Sequence, residues 1–280
     1  MMTSSDDNNP TQPAPKGVLE PRAAHDAIGF SQLQAGYNFL NVSSYGRVLS
    51  NLIVEEMQRR ANPEGSQVLD VGCGCGIGRD VDFQWAVREH LGVEQGGAYW
   101  GIEPDDAIHP VEGLFDNFQH ALMETAQLPE NQFDVAYSSM VMEHVEKPAA
   151  FLTALERCLK PGGVYLFATP NARSFVPWMS WAMHRLRIDE VVLRLVRGKQ
   201  QVEEYHYPLQ FLFNSPQQVA ACAEQHGFLP PKCSFIEGTG AYSYFRGPLK
   251  LLKPPLLAKR KFMQRPDRLA TLIGRLEKKS

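Results

Sequence analysis

The segment VLDVGCGCGIGRD, Val68 to Asp80, carries glycines at 72, 74, 76 and 78, directly after an apolar run that contains Asp70. Positions without a Cβ let the chain turn tightly and let a ligand lie against bare main chain. Cys73 and Cys75 stand in the same loop, but one residue separates them. No second Cys or His pair follows at the spacing of a tetrahedral metal site, so no metal is expected here. The Gly-Lys-Ser/Thr of a nucleoside triphosphate loop is missing, and the G-x-G-x-x-G spacing of a dinucleotide loop is broken by Arg79. An acid just before the glycines suits a cation or a hydroxyl-bearing ligand better than a pyrophosphate.

Such a loop needs a strand before it and a sheet around it. Short apolar runs recur at 67–72, 98–103, 118–123, 133–141 and 162–170, with further strand candidates at 231–237 and 240–246. Between several of them lie helical patterns, the clearest being Pro148 to Leu159, and SPQQVAACAEQHGF with Ser215 as N-cap, Pro216 at N1 and Gly227 after the last turn. Strands alternating with helices and buried on both faces predict a doubly wound α/β domain with a mostly parallel, seven-stranded, Rossmann-like sheet. In that architecture ligands bind beyond the carboxyl ends of the strands, next to the first one. Arg22 to Arg60 reads as helical, with Tyr45, Val48, Leu49, Leu52 and Ile53 on one face. The alternation stops between 171 and 213, where an amphipathic, helical insertion is expected to form a lid.

The predicted organisation is a disordered tail at 1–16, a helical cap at 17–63, a main domain at 64–247 with the lid at 171–213, and a basic tail at 248–280. The 280 residues, 44% hydrophobic, are enough for one enlarged domain. A net charge of -3 argues against a nucleic-acid binder. Five cysteines, several in apolar runs, fit a reducing compartment, and the polar, Pro-rich start is not a secretory signal. A cytoplasmic protein is expected. In the tail, Leu269, Leu272, Ile273 and Leu276 share one face of an expected amphipathic helix, which would dock on the domain or, as the second choice, touch an anionic membrane surface.

The ordered landmarks resemble the class I S-adenosylmethionine-dependent methyltransferases. VLDVGCGCGIGRD is similar to that family's glycine loop, GIEPDD to its second-strand end, METAQLPENQFDVAYSSMVMEHV to its segment through strand four, and LKPGGVYLFATPN to its strand-five entry. The EHV and KPGG elements are closest to the small-molecule branch that includes ubiquinone-type O-methyltransferases. The resemblance implies S-adenosyl-L-methionine as cofactor, bound by Asp70, Gly72, Cys73, Gly74, Gly76, Glu103, Pro104, Glu124, Thr125 and Ser138. Loop amides would hold the methionine carboxylate and Asp70 would lie near the amino group. Glu103 would accept from the ribose hydroxyls, Glu124 from the adenine amino group, and the Thr125 amide would face an adenine nitrogen. Glu124 stands where the family commonly has Asp, which changes the reach there.

The implied reaction is methyl transfer to a small-molecule acceptor, apolar or aromatic and at oxygen. A hydroxyl acceptor needs a base, and His144 in MEHV and His206 in EEYHYP are the candidate imidazoles. His144 can equally order its loop. Phe175, Trp178, Met179, Trp181 and Met183 read as an acceptor cavity or as the packing face of the lid. Two other classes stay open: a non-catalytic methyltransferase-like binding protein and an NAD-dependent oxidoreductase.

Overall fold

Val68 to Val71 are buried in succession, which requires cover on both faces of their strand. The computed structural model describes residues 19–20, 38–42, 45–74, 81–175, 208–238, 250–251, 254–255 and 266–280. In chain order the elements are β1 (Leu19–Glu20), β2 (Asn38–Val42), α1 (Tyr45–Gln58), β3 (Gln67–Val71), α2 (Val81–Arg88), β4 (Ala98–Glu103), β5 (Asn117–His120) and β6 (Phe133–Ser139). There follow a 3-10 turn at Met142–His144, α3 (Pro148–Cys158), β7 (Leu159–Pro170), α4 (Pro216–Gln225), β8 (Lys232–Gly238) and β9 (Thr271–Glu277).

The doubly wound, mostly parallel arrangement expected from the sequence is present. Seven strands lie in the order β8-β9-β7-β6-β3-β4-β5, and β1 and β2 extend this sheet beyond β8. Only β9 runs antiparallel to its neighbours β7 and β8. Helices α1 and α2 cover one face, where Leu49, Leu52, Phe83 and Val87 pack against Val68, Val135 and Leu166. Helices α3 and α4 cover the other, where Phe151, Leu155 and Val219 meet Leu69, Tyr165 and Phe167. The Ser215 hydroxyl accepts from the Gln218 amide and Gly227 takes a left-handed φ of 78°, so both ends of α4 are capped as their residue types require.

Two expectations are corrected. The helical reading of 22–60 holds from Tyr45 onward, but Asn38–Val42 is a strand paired with β8. An exposed sheet edge offers unpaired main-chain groups, and here that pairing outweighs helical patterning. The second correction concerns the tail. Thr271–Glu277 is neither a docked helix nor a membrane-surface helix but β9, inserted between β7 and β8. Leu272 and Leu276 face one helical layer and Ile273 the other, so a spacing that mimics a helix stripe serves a strand buried on both sides.

The basic residues of that segment are also engaged. Arg275 forms a buried ion pair with Glu56 of α1 at 2.8 Å, and the Lys278 ammonium donates to Asn131 and to the Glu156 and Leu159 carbonyls. The strand candidate at 240–246 and most of the lid lie outside the described residues. No helix among the described residues is long and apolar enough to cross a membrane.

Candidate functional site

The parallel register sets Val71, Ile102 and Ser138 side by side, so β3, β4 and β6 end together and their following loops share one edge of the sheet. Gly72 and Gly74 both turn through left-handed φ, at 69° and 62°, but for different reasons. A Cβ on Gly72 would stand 2.5 Å from Val141 Cγ2, so close packing excludes it. A Cβ on Gly74 would meet no described residue within 4 Å, so the turn there borders open space.

The main-chain donors of this turn are used internally. Gly72 and Cys73 both donate to the Ile102 carbonyl, at 2.8 and 3.0 Å, and Gly74 donates to Glu103 Oε2 at 3.0 Å. The amides of Gly72, Cys73 and Gly74 therefore lash the start of the loop to the end of β4. Gly76 lies outside the described residues, as does the rest of the loop from 75 to 80.

Asp70 sits beneath the loop, 2% exposed. Its Oδ2 accepts from Gln84 Nε2 at 2.7 Å and from the Tyr137 hydroxyl at 2.6 Å. Gln84 Nε2 also donates to the Cys73 carbonyl at 2.8 Å, so one amide group joins the acid to the loop's main chain. Tyr137 is in turn hydrogen-bonded to the Tyr99 hydroxyl. Burial and the Asp70 charge push both phenols well above the ordinary tyrosine range, so they stay neutral donors. Gln84, Tyr99 and Tyr137 are functional neighbours that sequence reading missed, because a tyrosine inside a strand and a glutamine inside a helix look like ordinary filling.

Glu103 ends β4 and is buried to 7% exposure. Burial raises its pKa, while hydrogen bonds from the Gly74 and Asp105 amides oppose the rise. Its main-chain carbonyl accepts from Ala121 at 3.1 Å, which brings the segment after β5 alongside. Pro104 follows it at the half-buried rim. Glu124 is half-buried and Thr125 exposed in that neighbouring segment. The Thr125 amide donates to the Leu122 carbonyl at 3.0 Å, closing a turn. Ser138 is fully buried, its hydroxyl 2.5 Å from that of Tyr165, so it braces β6 against β7.

On the other side of β3, the turn Met142–His144 follows β6. His144 is half-buried and its Nδ1 lies 3.2 Å from the Pro208 carbonyl. A carbonyl only accepts, so Nδ1 carries the hydrogen and the lone pair of the neutral ring is on Nε2. His206, the second imidazole expected here, lies outside the described residues. Glu143, which sequence reading left aside, is buried beside it. Among the described residues no group of three or more His, Cys, Asp or Glu is arranged to hold a metal ion.

Comparison with known proteins adds to this geometry. Residues 45–229 match the family model described as a methyltransferase domain. The ubiquinone biosynthesis O-methyltransferase of Ruegeria sp. (strain TM1040) is 31% identical over 169 residues, covering 59% of this chain and 61% of that protein. The protein of the same name from Dinoroseobacter shibae is 30% identical over 171 residues, covering 60% and 62%. The chain thus spans about six tenths of the length of the curated relatives it matches. Among solved structures, the YcgJ protein from Bacillus subtilis aligns at a TM-score of 0.51 and 15% identity, covering 83% of this chain and 99% of that one. A geranyl diphosphate methyltransferase in complex with GPP and sinefungin aligns at 0.51 and 11% identity, covering 82% and 78%. Both likenesses concern the fold.

Proposed function

Because the chain belongs to the class I S-adenosylmethionine-dependent methyltransferase family, we propose that it transfers a methyl group from S-adenosylmethionine to the oxygen of an apolar or aromatic small molecule. The observation that carries the cofactor half is the buried Glu103 carboxylate, fixed beside an open space bordered by Gly74. The residues fit the group: a carboxylate at a strand end matches a vicinal diol, and a glycine facing open space admits a flat ligand against main chain. The oxygen acceptor is supported by the names of the two relatives above, both ubiquinone biosynthesis O-methyltransferases.

When bound, the cofactor supplies a methyl group on a positively charged sulfur, open to in-line displacement. Glu103 would accept hydrogen bonds from the ribose hydroxyls, and Glu124 and Thr125 would hold the adenine side from the segment after β5. Asp70 acts through Gln84, holding the Cys73 carbonyl and hence the loop in place. On the acceptor side, above β6 and β7, the lone pair on His144 Nε2 takes the hydroxyl proton as the oxygen acquires its methyl group. His144 is oriented for this by its Nδ1 bond to Pro208.

Isothermal titration with S-adenosylhomocysteine and, separately, NADH tests the cofactor half. Binding of the first and not the second is expected, and a chain that binds only NADH would overturn it. Labelled-methyl transfer into a lipid-soluble extract tests the acceptor; label found solely in polar or protein fractions rejects an apolar small molecule.

A further inference from the structure

Glu143 is 2% exposed, and among the described residues it forms no ion pair. A side chain that only filled this space would do so at lower cost as an apolar residue, because a buried carboxylate loses its hydration. Its bonds have a common target. The Glu143 carbonyl accepts from the Gln210 and Phe211 amides, at 2.7 and 3.2 Å. Its carboxyl oxygen accepts from the Thr169 hydroxyl at 3.0 Å, and that hydroxyl accepts from the Asn214 side-chain amide. One residue on, His144 Nδ1 donates to the Pro208 carbonyl, and Ala172 donates to the Asn214 carbonyl at 2.9 Å.

Pro208 to Asn214 is therefore held across the ends of β6 and β7 by one short turn. Two non-glycine residues in left-handed conformation, Met140 at φ 56° and Phe211 at φ 52°, lie on the two sides of this junction. Such conformations persist only where surrounding contacts over-determine them. We propose that Glu143 is a positioning residue for methyl transfer, its carboxyl and carbonyl together clamping Pro208–Asn214 as a wall of the acceptor side. This rests on the proposed methyl transfer, with the acceptor placed above β6 and β7.

The groups facing the carboxyl are Thr169 and Tyr165 from β7, Asn214 from the clamped segment and His144 on its own turn. Burial raises the carboxyl's pKa to about 7, against the hydrogen bonds from its own main chain and from Thr169. Ionisation makes the carboxylate a better acceptor for Thr169 but at the larger cost of its lost hydration, with no counter-cation among the described residues, so the segment opens more readily as pH rises through that value.

Hydrogen exchange of the full chain, followed on peptides covering 208–214 from pH 6 to 8.5 and corrected for intrinsic rates, tests this. In the unaltered protein, protection of that segment should fall by about tenfold over the range. Glu143→Gln keeps an acceptor for Thr169 without a charge and should give protection that is flat with pH. Glu143→Ala should be poorly protected throughout. All three should bind S-adenosylhomocysteine within about twofold of one another, since the clamp lies off the cofactor side. Protection independent of pH in the unaltered chain, Glu143→Gln tracking it, or equal protection in Glu143→Ala would each overturn the clamp. Loss of S-adenosylhomocysteine affinity in Glu143→Gln would overturn its placement on the acceptor side. If the alanine variant does not fold, the glutamine comparison still decides. Failure of the unaltered chain to bind S-adenosylhomocysteine would instead reject the proposed function and leave the exchange result standing.

Discussion

The Gly74 amide donates to Glu103 Oε2 at 3.0 Å, so the glycine turn after β3 and the acid at the end of β4 form one unit. The carboxylate proposed to meet the ribose diol is also the group that sets the turn.

Glu103→Gln should weaken S-adenosylhomocysteine binding by roughly ten- to a hundredfold in titration, since a charge-assisted pair of hydrogen bonds becomes a neutral one. The pH response has two opposite signs. Burial raises the Glu103 pKa, so protonation favours the folded protein, and its contribution to stability is lost as pH rises through the raised value. Binding needs the ionised form, so affinity should decline as pH falls through that same value. Affinity that is constant on acidification would show that the carboxylate does not contact the ligand.

Gly72→Ala and Gly74→Ala separate packing from ligand approach. Both place a side chain at a left-handed φ, costing about 1–2 kcal/mol. Gly72→Ala adds a clash with Val141 and should lower the melting temperature further, with partial recovery in the double variant Val141→Ala. Gly74→Ala meets no protein atom and should melt only slightly early while losing most of its S-adenosylhomocysteine affinity. Equal ligand affinity in Gly74→Ala and the unaltered chain would remove this turn from the site.

Tyr137→Phe takes one donor from Asp70 and one partner from Tyr99, both fully buried groups. A loss of about 1–3 kcal/mol in denaturant unfolding is expected, because each orphaned buried group bears its own desolvation cost. Cofactor affinity should fall less than in Glu103→Gln, as Asp70 keeps Gln84. An unchanged unfolding midpoint would mean that water replaces the lost hydroxyl at little cost.

Truncation before Pro266 removes β9, the strand that β7 and β8 share. The shortened chain should lose its cooperative thermal transition by circular dichroism. Arg275→Met, which takes the buried guanidinium from Glu56 and leaves that carboxylate to the more exposed Arg59 and Arg60, should destabilise by about 1–3 kcal/mol in the intact chain. A truncated form that melts like the full chain would return this segment to the status of an appendage.

Several features were legible in the chain itself. Continuous apolar runs such as Val164 to Ala168 need cover on both faces, and the helical stripe Val48, Leu49, Leu52 and Ile53 supplies it on one, so local periodicity was sufficient for the α/β architecture. Four glycines after a strand marked the ligand edge for an equally local reason: main chain without Cβ is visible in sequence.

What tertiary structure decided was the identity of partners. Leu272, Ile273 and Leu276 satisfy a helix and a doubly buried strand equally well, and only the vacancy between β7 and β8 selects the strand. Asp70 carries the right charge for a ligand, yet Gln84 and Tyr137 arrive from 14 and 67 residues away to occupy its Oδ2. Glu143 reads as an ordinary surface acid until Thr169, Asn214 and the Gln210 amide close over it. Hydrogen-bond partners distant along the chain leave no periodic trace in it, because each is selected by geometry that exists only once the sheet has formed.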